Sequence, residues 1–227
     1  MDDKEFFNRF AQKHGNYKVH PDTEYERIFQ ASGILNEPRN SRVLDAGCGS
    51  GAFSGFLSGY GFKVTGIDIS DELVNIAAEI NKEAVFIAGD IFSAPFPDES
   101  FDSVFCGAVL HHFPDRLFEC AAEFKRLLRP RGKVYFFEPY SFCVNSLLRY
   151  GIFEFNRTAS ERALDPSRVK TEFEKAGFRE FNCQKLKAVR ILYPREESLP
   201  ARMFSLFRSV VNHHIFPNMF FTGFAGK

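Results

Sequence analysis

The sequence predicts an α/β fold, a parallel sheet covered by helices. Three observations carry this. Short apolar, β-branched runs alternate with helical stretches from residue 42 to 139. The first run leads directly into a glycine-rich string, GCGSGA at 47–52. Acids, Asp45, Asp68 and Asp90, stand at the ends of the first three runs. With 227 residues, the chain has room for one sizeable domain with elaborations rather than two independent ones.

Residues 1–36 read as helices laid before the core, punctuated by Gly33. The strands read over 42–46, 63–69, 84–88, 103–109 and 133–137. Between them, 71–82 places Leu73, Ile76, Ala77 and Ile80 on one face at three-and-four spacing, with Ser70 or Asp71 as cap. Residues 117–132 form a second crossover helix, ended by Pro130 and Gly132. Regularity fades over 140–165. Asp165 then caps a helix whose first position is Pro166 and whose end is Gly177. Strands follow near 178–190 and 219–225.

Composition narrows the function. Lys+Arg and Asp+Glu are equal at 29 each, so no global field gathers nucleic acid or acidic lipid. The five cysteines, Cys48, Cys106, Cys120, Cys143 and Cys183, are widely spaced without a CxxC pair, which predicts a reduced, cytoplasmic setting and no zinc site. The opening MDDKEFFNRFAQKHG has early acids and no unbroken apolar run, so neither a signal peptide nor a membrane span is expected. Phe is abundant, 29 residues against no Trp, and reads first as core filling, second as the lining of an apolar substrate pocket.

The glycines do not choose a cofactor. GCGSGA also satisfies the loose dinucleotide pattern, with Asp68 at the expected distance, which keeps a nicotinamide-dependent oxidoreductase open. Asp45 discriminates. A pyrophosphate brought against the loop would be repelled by this carboxylate, whereas the sulfonium and ammonium groups of S-adenosylmethionine would be attracted. Asp68 at the second strand end suits the two ribose hydroxyls, with Ile69 against the adenine face. Asp90 suits the adenine amino group, with the Ile91 N–H donating to a ring nitrogen. A non-catalytic cofactor-binding module is the third reading.

The segments VLDAGCGSG, VTGIDIS, AGDIFSAPFPDESFDSVFCGAVLHHFPD and FKRLLRPRGKVYFFEP together resemble the class I S-adenosylmethionine-dependent methyltransferases, and within them the small-molecule group called the type 11 methyltransferase domain. The resemblance covers about residues 42–139. It implies a Rossmann-like seven-stranded sheet, last strand antiparallel, with helices on both faces. It implies a helical lid at 1–36, a cofactor-binding core at 37–139, substrate-covering insertions with the sixth strand at 140–218 and the last strand at 219–227, all one structural domain. Asp45, Gly47, Gly49 and Gly51 take the methionyl end, with Cys48 contributing loop backbone. Asp68 takes the ribose, and Asp90 with Ile91 the adenine. The backbone at Cys106 and Gly107 faces the methionyl amino group.

The expected reaction is in-line transfer of a methyl group to an O, N or C atom of a small, partly apolar molecule. For a hydroxyl acceptor, His111 or His112 is the candidate base, since both follow the fourth strand. His14, Tyr17 and His20 form a second polar cluster, assigned to lid or substrate contact. No metal, nucleic acid or membrane partner is expected, and the sequence carries no reading of oligomeric state.

Overall fold

The computed structural model describes residues 2–14, 22–139, 164–187 and 217–225. Two N-terminal helices, α1 (Asp3–His14) and α2 (Asp22–Ser32), precede an alternating core. The core runs β1 (Arg42–Ala46), α3 (Ala52–Gly59), β2 (Lys63–Asp68), α4 (Asp71–Ile80), β3 (Val85–Ala88), β4 (Phe101–Gly107), α5 (Leu117–Leu127) and β5 (Leu128–Pro139). After these come α6 (Pro166–Lys175), β6 (Phe178–Lys187) and β7 (Pro217–Ala225). The strands form one sheet in the order β3-β2-β1-β4-β5-β7-β6. β1 pairs in parallel with β2 and β4, β2 with β3, and β4 with β5, whereas β7 runs antiparallel between β5 and β6.

Strand alternation divides the core between the two faces of the sheet. Val104 and Cys106 of β4 and Val134 and Phe136 of β5 join Leu117, Cys120, Phe124, Val169 and Phe173 from α5 and α6. Phe105, Tyr135 and Phe137 turn the other way, to Tyr25, Ile28, Phe29 and Leu57 from α2 and α3. Such strands read as nearly continuous apolar runs because both faces are covered. Nine of the 29 Phe are buried in the described core, Phe29, Phe105, Phe124, Phe136 and Phe173 among them.

The two helices of segment 1–36 pack differently. α2 is core, with Tyr25, Ile28 and Phe29 buried. α1 instead lies against the start of α4: Ser70 Oγ donates to Asn8 Oδ1 at 2.6 Å, and Lys4 pairs with Asp71 at 2.7 Å.

Several element boundaries differ from the sequence reading, and one cap alternative is resolved. α5 stops at Leu127, not at Pro130 and Gly132, because Leu128 turns extended (φ −83°, ψ 138°) to pair with Phe101. The residue before a proline is biased to extended backbone, so Arg129-Pro130 helps the strand begin. α4 is capped by Ser70, whose Oγ accepts from Leu73 N at 3.2 Å. Its buried face is Leu73, Val74 and Ala77, while Ile80 is 44% exposed where the helix overhangs the edge strand β3. β4 begins and ends two residues before the expected 103–109.

Candidate functional site

The carboxyl ends of the parallel strands bring the predicted acids together, as an open α/β sheet requires. The loop after β1 turns on three glycines with positive φ: Gly47 (77°), Gly49 (52°) and Gly51 (79°). At Gly47 a Cβ would lie 2.3 Å from Val109 Cγ2, so the absent side chain lets the loop sit against the segment after β4. At Gly49 a Cβ would meet nothing within 4 Å. That backbone is the open part of the cradle.

Asp45, two residues before Gly47, is fully buried. Alternation along β1 turns it toward α3, where Ser54 Oγ donates to Oδ2 at 2.6 Å. Its other oxygen, Oδ1, has no hydrogen-bond partner among the described residues. Burial pushes the carboxyl up from 3.8 to about 7, against the Ser54 hydrogen bond. A buried carboxylate oxygen without a donor fits a cationic neighbour, reached directly or through water.

Asp68 closes β2 and holds the loop in place. Its Oδ2 accepts from Gly49 N at 2.8 Å and its Oδ1 from Ser70 N at 2.9 Å. Each oxygen retains a lone pair for a further donor. Burial raises this carboxyl too, while the backbone N–H groups of Ser70 and Gly49 oppose the rise. Cys48 turns its side chain inward: a Cβ on Gly66 would lie 2.8 Å from its Sγ. Burial drives the thiol well above its usual range, so Cys48 offers backbone, not a nucleophile.

A cleft of about 260 Å³ opens beside these groups, lined by Asp3, Ile69, Asp90, Phe92, His112 and Phe113 with Pro114, Asp115 and Arg116. Asp90 is exposed and accepts from Phe92 N at 2.9 Å, while Ile91 is buried in the core. The floor is aromatic: Phe92 and Phe113 meet edge-on at 4.9 Å, and the Arg116 guanidinium lies 3.6 Å above the Phe92 ring.

Cys106 and Gly107 end β4, buried, and a Cβ on Gly107 would strike Phe53 at 2.7 Å. Ala108 follows with φ 60° and donates to Phe137 O at 2.6 Å. The two adjacent histidines have different surroundings. His111 is 3% exposed, with Nδ1 2.8 Å from Glu138 Oε2. His112 lines the cleft and meets the Phe7 ring of α1 edge-on at 5.2 Å. His14 is the last residue of α1, its side chain beyond description; Tyr17 and His20 lie outside the described residues.

Four residues of this region were not singled out from the sequence: Ser54, Asn81, Arg126 and Glu138. Asn81 Nδ2 donates to Gly51 O at 3.1 Å and ties α4 to the glycine loop. Arg126 grips the segment after β3, donating to Phe96 O at 2.8 Å and Ala94 O at 3.1 Å and pairing with Asp98 and Glu123. Glu123 in turn accepts from Ala94 N. Glu138 had a legible signal: like Asp45, Asp68 and Asp90 it is an acid at the end of a parallel strand. Among the described residues no group of three or more His, Cys, Asp or Glu could hold a metal, and no helix is long and apolar enough to cross a membrane.

Residues 44–136 match the model of the family described as "Methyltransferase domain". Over this stretch, which is less than half of the chain, the sequence is similar to a methyltransferase domain. It is 39% identical over 107 residues to 2-methyl-6-phytyl-1,4-hydroquinone methyltransferase of Synechocystis sp., a match covering 45% of this chain and 33% of that one. It is 36% identical over 110 residues to 27-O-demethylrifamycin SV methyltransferase of Amycolatopsis mediterranei, covering 45% and 40%. The chain thus spans well under half the length of these curated relatives. Among solved structures, Haemonchus contortus phosphoethanolamine N-methyltransferase 2 in complex with S-adenosyl-L-methionine has the same fold, with a TM-score of 0.66 at 18% identity over 97% of this chain and 60% of that one.

Proposed function

We propose that the protein transfers the methyl group of S-adenosylmethionine by in-line displacement to an O, N or C atom of a small, partly apolar molecule. The observation that carries this reading is the aromatic-floored cleft in which Ile69, next to Asp68, converges with Asp90 and His112. Bound there, S-adenosylmethionine supplies an electrophilic methyl group on a sulfonium that leaves readily.

The chain's own residues bind and orient. Gly47, Cys48, Gly49 and Gly51 offer loop backbone to the methionyl end. Asp45 supplies negative charge from below, through the oxygen that Ser54 leaves free. Backbone at Cys106 and Gly107 faces the ammonium group. Asp68 accepts from the ribose hydroxyls on its remaining lone pairs, Ile69 packs on the adenine, and Asp90 with the Ile91 N–H reads its edge. Alignment of this kind corresponds to effective molarities of about 10⁵ M or more, so positioning carries most of the rate. Of the two histidines, His112 is the one that reaches the cleft and takes the proton of a hydroxyl acceptor. His111 serves from behind it. The lid role assigned to His14, Tyr17 and His20 is kept as part of this reading, with α1 as its described portion.

The acceptor is a small molecule and not a nucleic acid, a view favoured by the even charge balance and by relatives named for a hydroquinone and a rifamycin. The test is twofold. Titration with S-adenosylhomocysteine should give saturable binding that NAD does not compete, and methyl-labelled cofactor should deliver label to pooled quinols, phenols and lipids. Failure to bind S-adenosylhomocysteine sinks the reading.

A further inference from the structure

Glu138 is the last residue of β5 before Pro139, fully buried, and both of its oxygens are engaged. Oε1 accepts from the N–H groups of Val109 and Leu110, each at 2.8 Å, and Oε2 stands 2.8 Å from His111 Nδ1. A carboxyl at such depth is costly unless donors meet it. Here they come from one short stretch, residues 109–111, between β4 and α5.

That stretch touches both halves of the site. The Val109 side chain fills the notch left by Gly47. The His111 ring lies 4.2 Å from that of His112, tilted by 37°, and His112 faces the cleft and Phe7. The stretch begins at Ala108, whose left-handed backbone costs energy unless its surroundings hold it. The Phe137 carbonyl and the Glu138 carboxylate next to it supply that hold.

We propose that Glu138 is a positioning residue for methyl transfer: it anchors residues 108–111 and fixes the His111 ring, so that His112 is presented to the cleft. The proposal rests on the methyltransferase reading. The backbone donors on Oε1 favour the carboxylate form, and Oε2 then keeps the imidazole proton on Nδ1, so that Nε2 carries none.

Glu138→Gln separates this role from simple packing. Its amide oxygen can still accept from Val109 and Leu110, but its NH₂ faces Nδ1 and must donate to it, which moves the ring proton to Nε2. At about pH 9, where the wild-type carboxyl is ionised, ring nitrogen spectra should report Nδ1–H for His111 in wild type and Nε2–H in Glu138→Gln, with the His112 signals displaced. kcat should fall about tenfold or more, while the affinity for S-adenosylhomocysteine changes by less than about threefold. His111→Asn, which keeps a donor for the carboxylate but removes the ring, should lower kcat to the same extent.

The proposal is overturned by an unchanged tautomer, by wild-type kcat in both variants, or by equal proportional losses in kcat, S-adenosylhomocysteine affinity and melting temperature. The ring spectra and the S-adenosylhomocysteine titration decide it without turnover. A wild-type protein that binds no S-adenosylhomocysteine would instead overturn the methyltransferase reading.

Discussion

At the scale of single residues, two buried carboxyls set the electrostatics. Burial raises Asp45 to about 7 and Glu138 to about 8, both from ordinary values near 4. A raised acid is easiest to keep buried while protonated, so its contribution to stability is fully present below the unfolded pKa and is lost as pH rises through the folded one. The ligand-free protein should therefore lose melting temperature, by about 5 °C, as pH rises from about 5 to about 9. A flat profile would contradict the raised affinity of these buried carboxyls for protons. Saturating S-adenosylmethionine should reduce the slope, because a cation beside Asp45 favours its ionised form. Asp45→Asn should flatten the ligand-free profile as well and weaken S-adenosylmethionine by about tenfold, more than S-adenosylhomocysteine, which lacks the sulfonium. Equal weakening of the two in calorimetry would remove Asp45 from the charge pairing.

At the scale of elements, the segment between β3 and β4 carries Asp90 and Ile91 and has little regular structure of its own. Arg126 on α5 holds it through the carbonyls of Ala94 and Phe96, and Glu123 holds it through the Ala94 N–H. Arg126→Ala should cost about 1–3 kcal/mol in stability by leaving these groups short of partners. It should also raise KM for the cofactor more than it lowers kcat, and Arg126→Lys should not restore it, since an ammonium cannot make the forked contact. An unchanged KM in Arg126→Ala would separate this clamp from adenine binding.

The same elements show what the sequence made legible. The parallel strands were readable because burial on both faces leaves continuous β-branched runs, and the acids at their ends were readable because each follows such a run. The end of α5 was not. Leu127 and Leu128 continue the helical period, and only pairing of Leu128 with Phe101, far away in sequence, ends it. The depth of Asp45 was hidden for a related reason: its place before the glycines was plain, but its enclosure depends on Ser54 of α3 and on which face β1 turns to that helix. Glu138 escaped notice because its donors are three neighbours on another loop. Tyr17, His20 and residues 140–163 lie outside the described structure.

At the scale of the whole molecule, the sheet is sandwiched by two aromatic cores, and the cleft between the strand ends and α1 inherits their character. Phe92 and Phe113 form its floor, and Phe7 meets His112 at its edge. The chain has 29 Phe, 7 Tyr and no Trp, so it is almost dark when excited at the red edge of protein absorbance. Phe113→Trp would therefore install a single optical reporter on the cleft floor, where the larger indole can extend into the cleft from a half-buried position. Its emission should shift as S-adenosylhomocysteine enters, and an emission indifferent to saturating ligand would place the cofactor elsewhere. The abundance of phenylalanine thus gives this protein a silent background against which one indole can time the arrival of cofactor and acceptor separately.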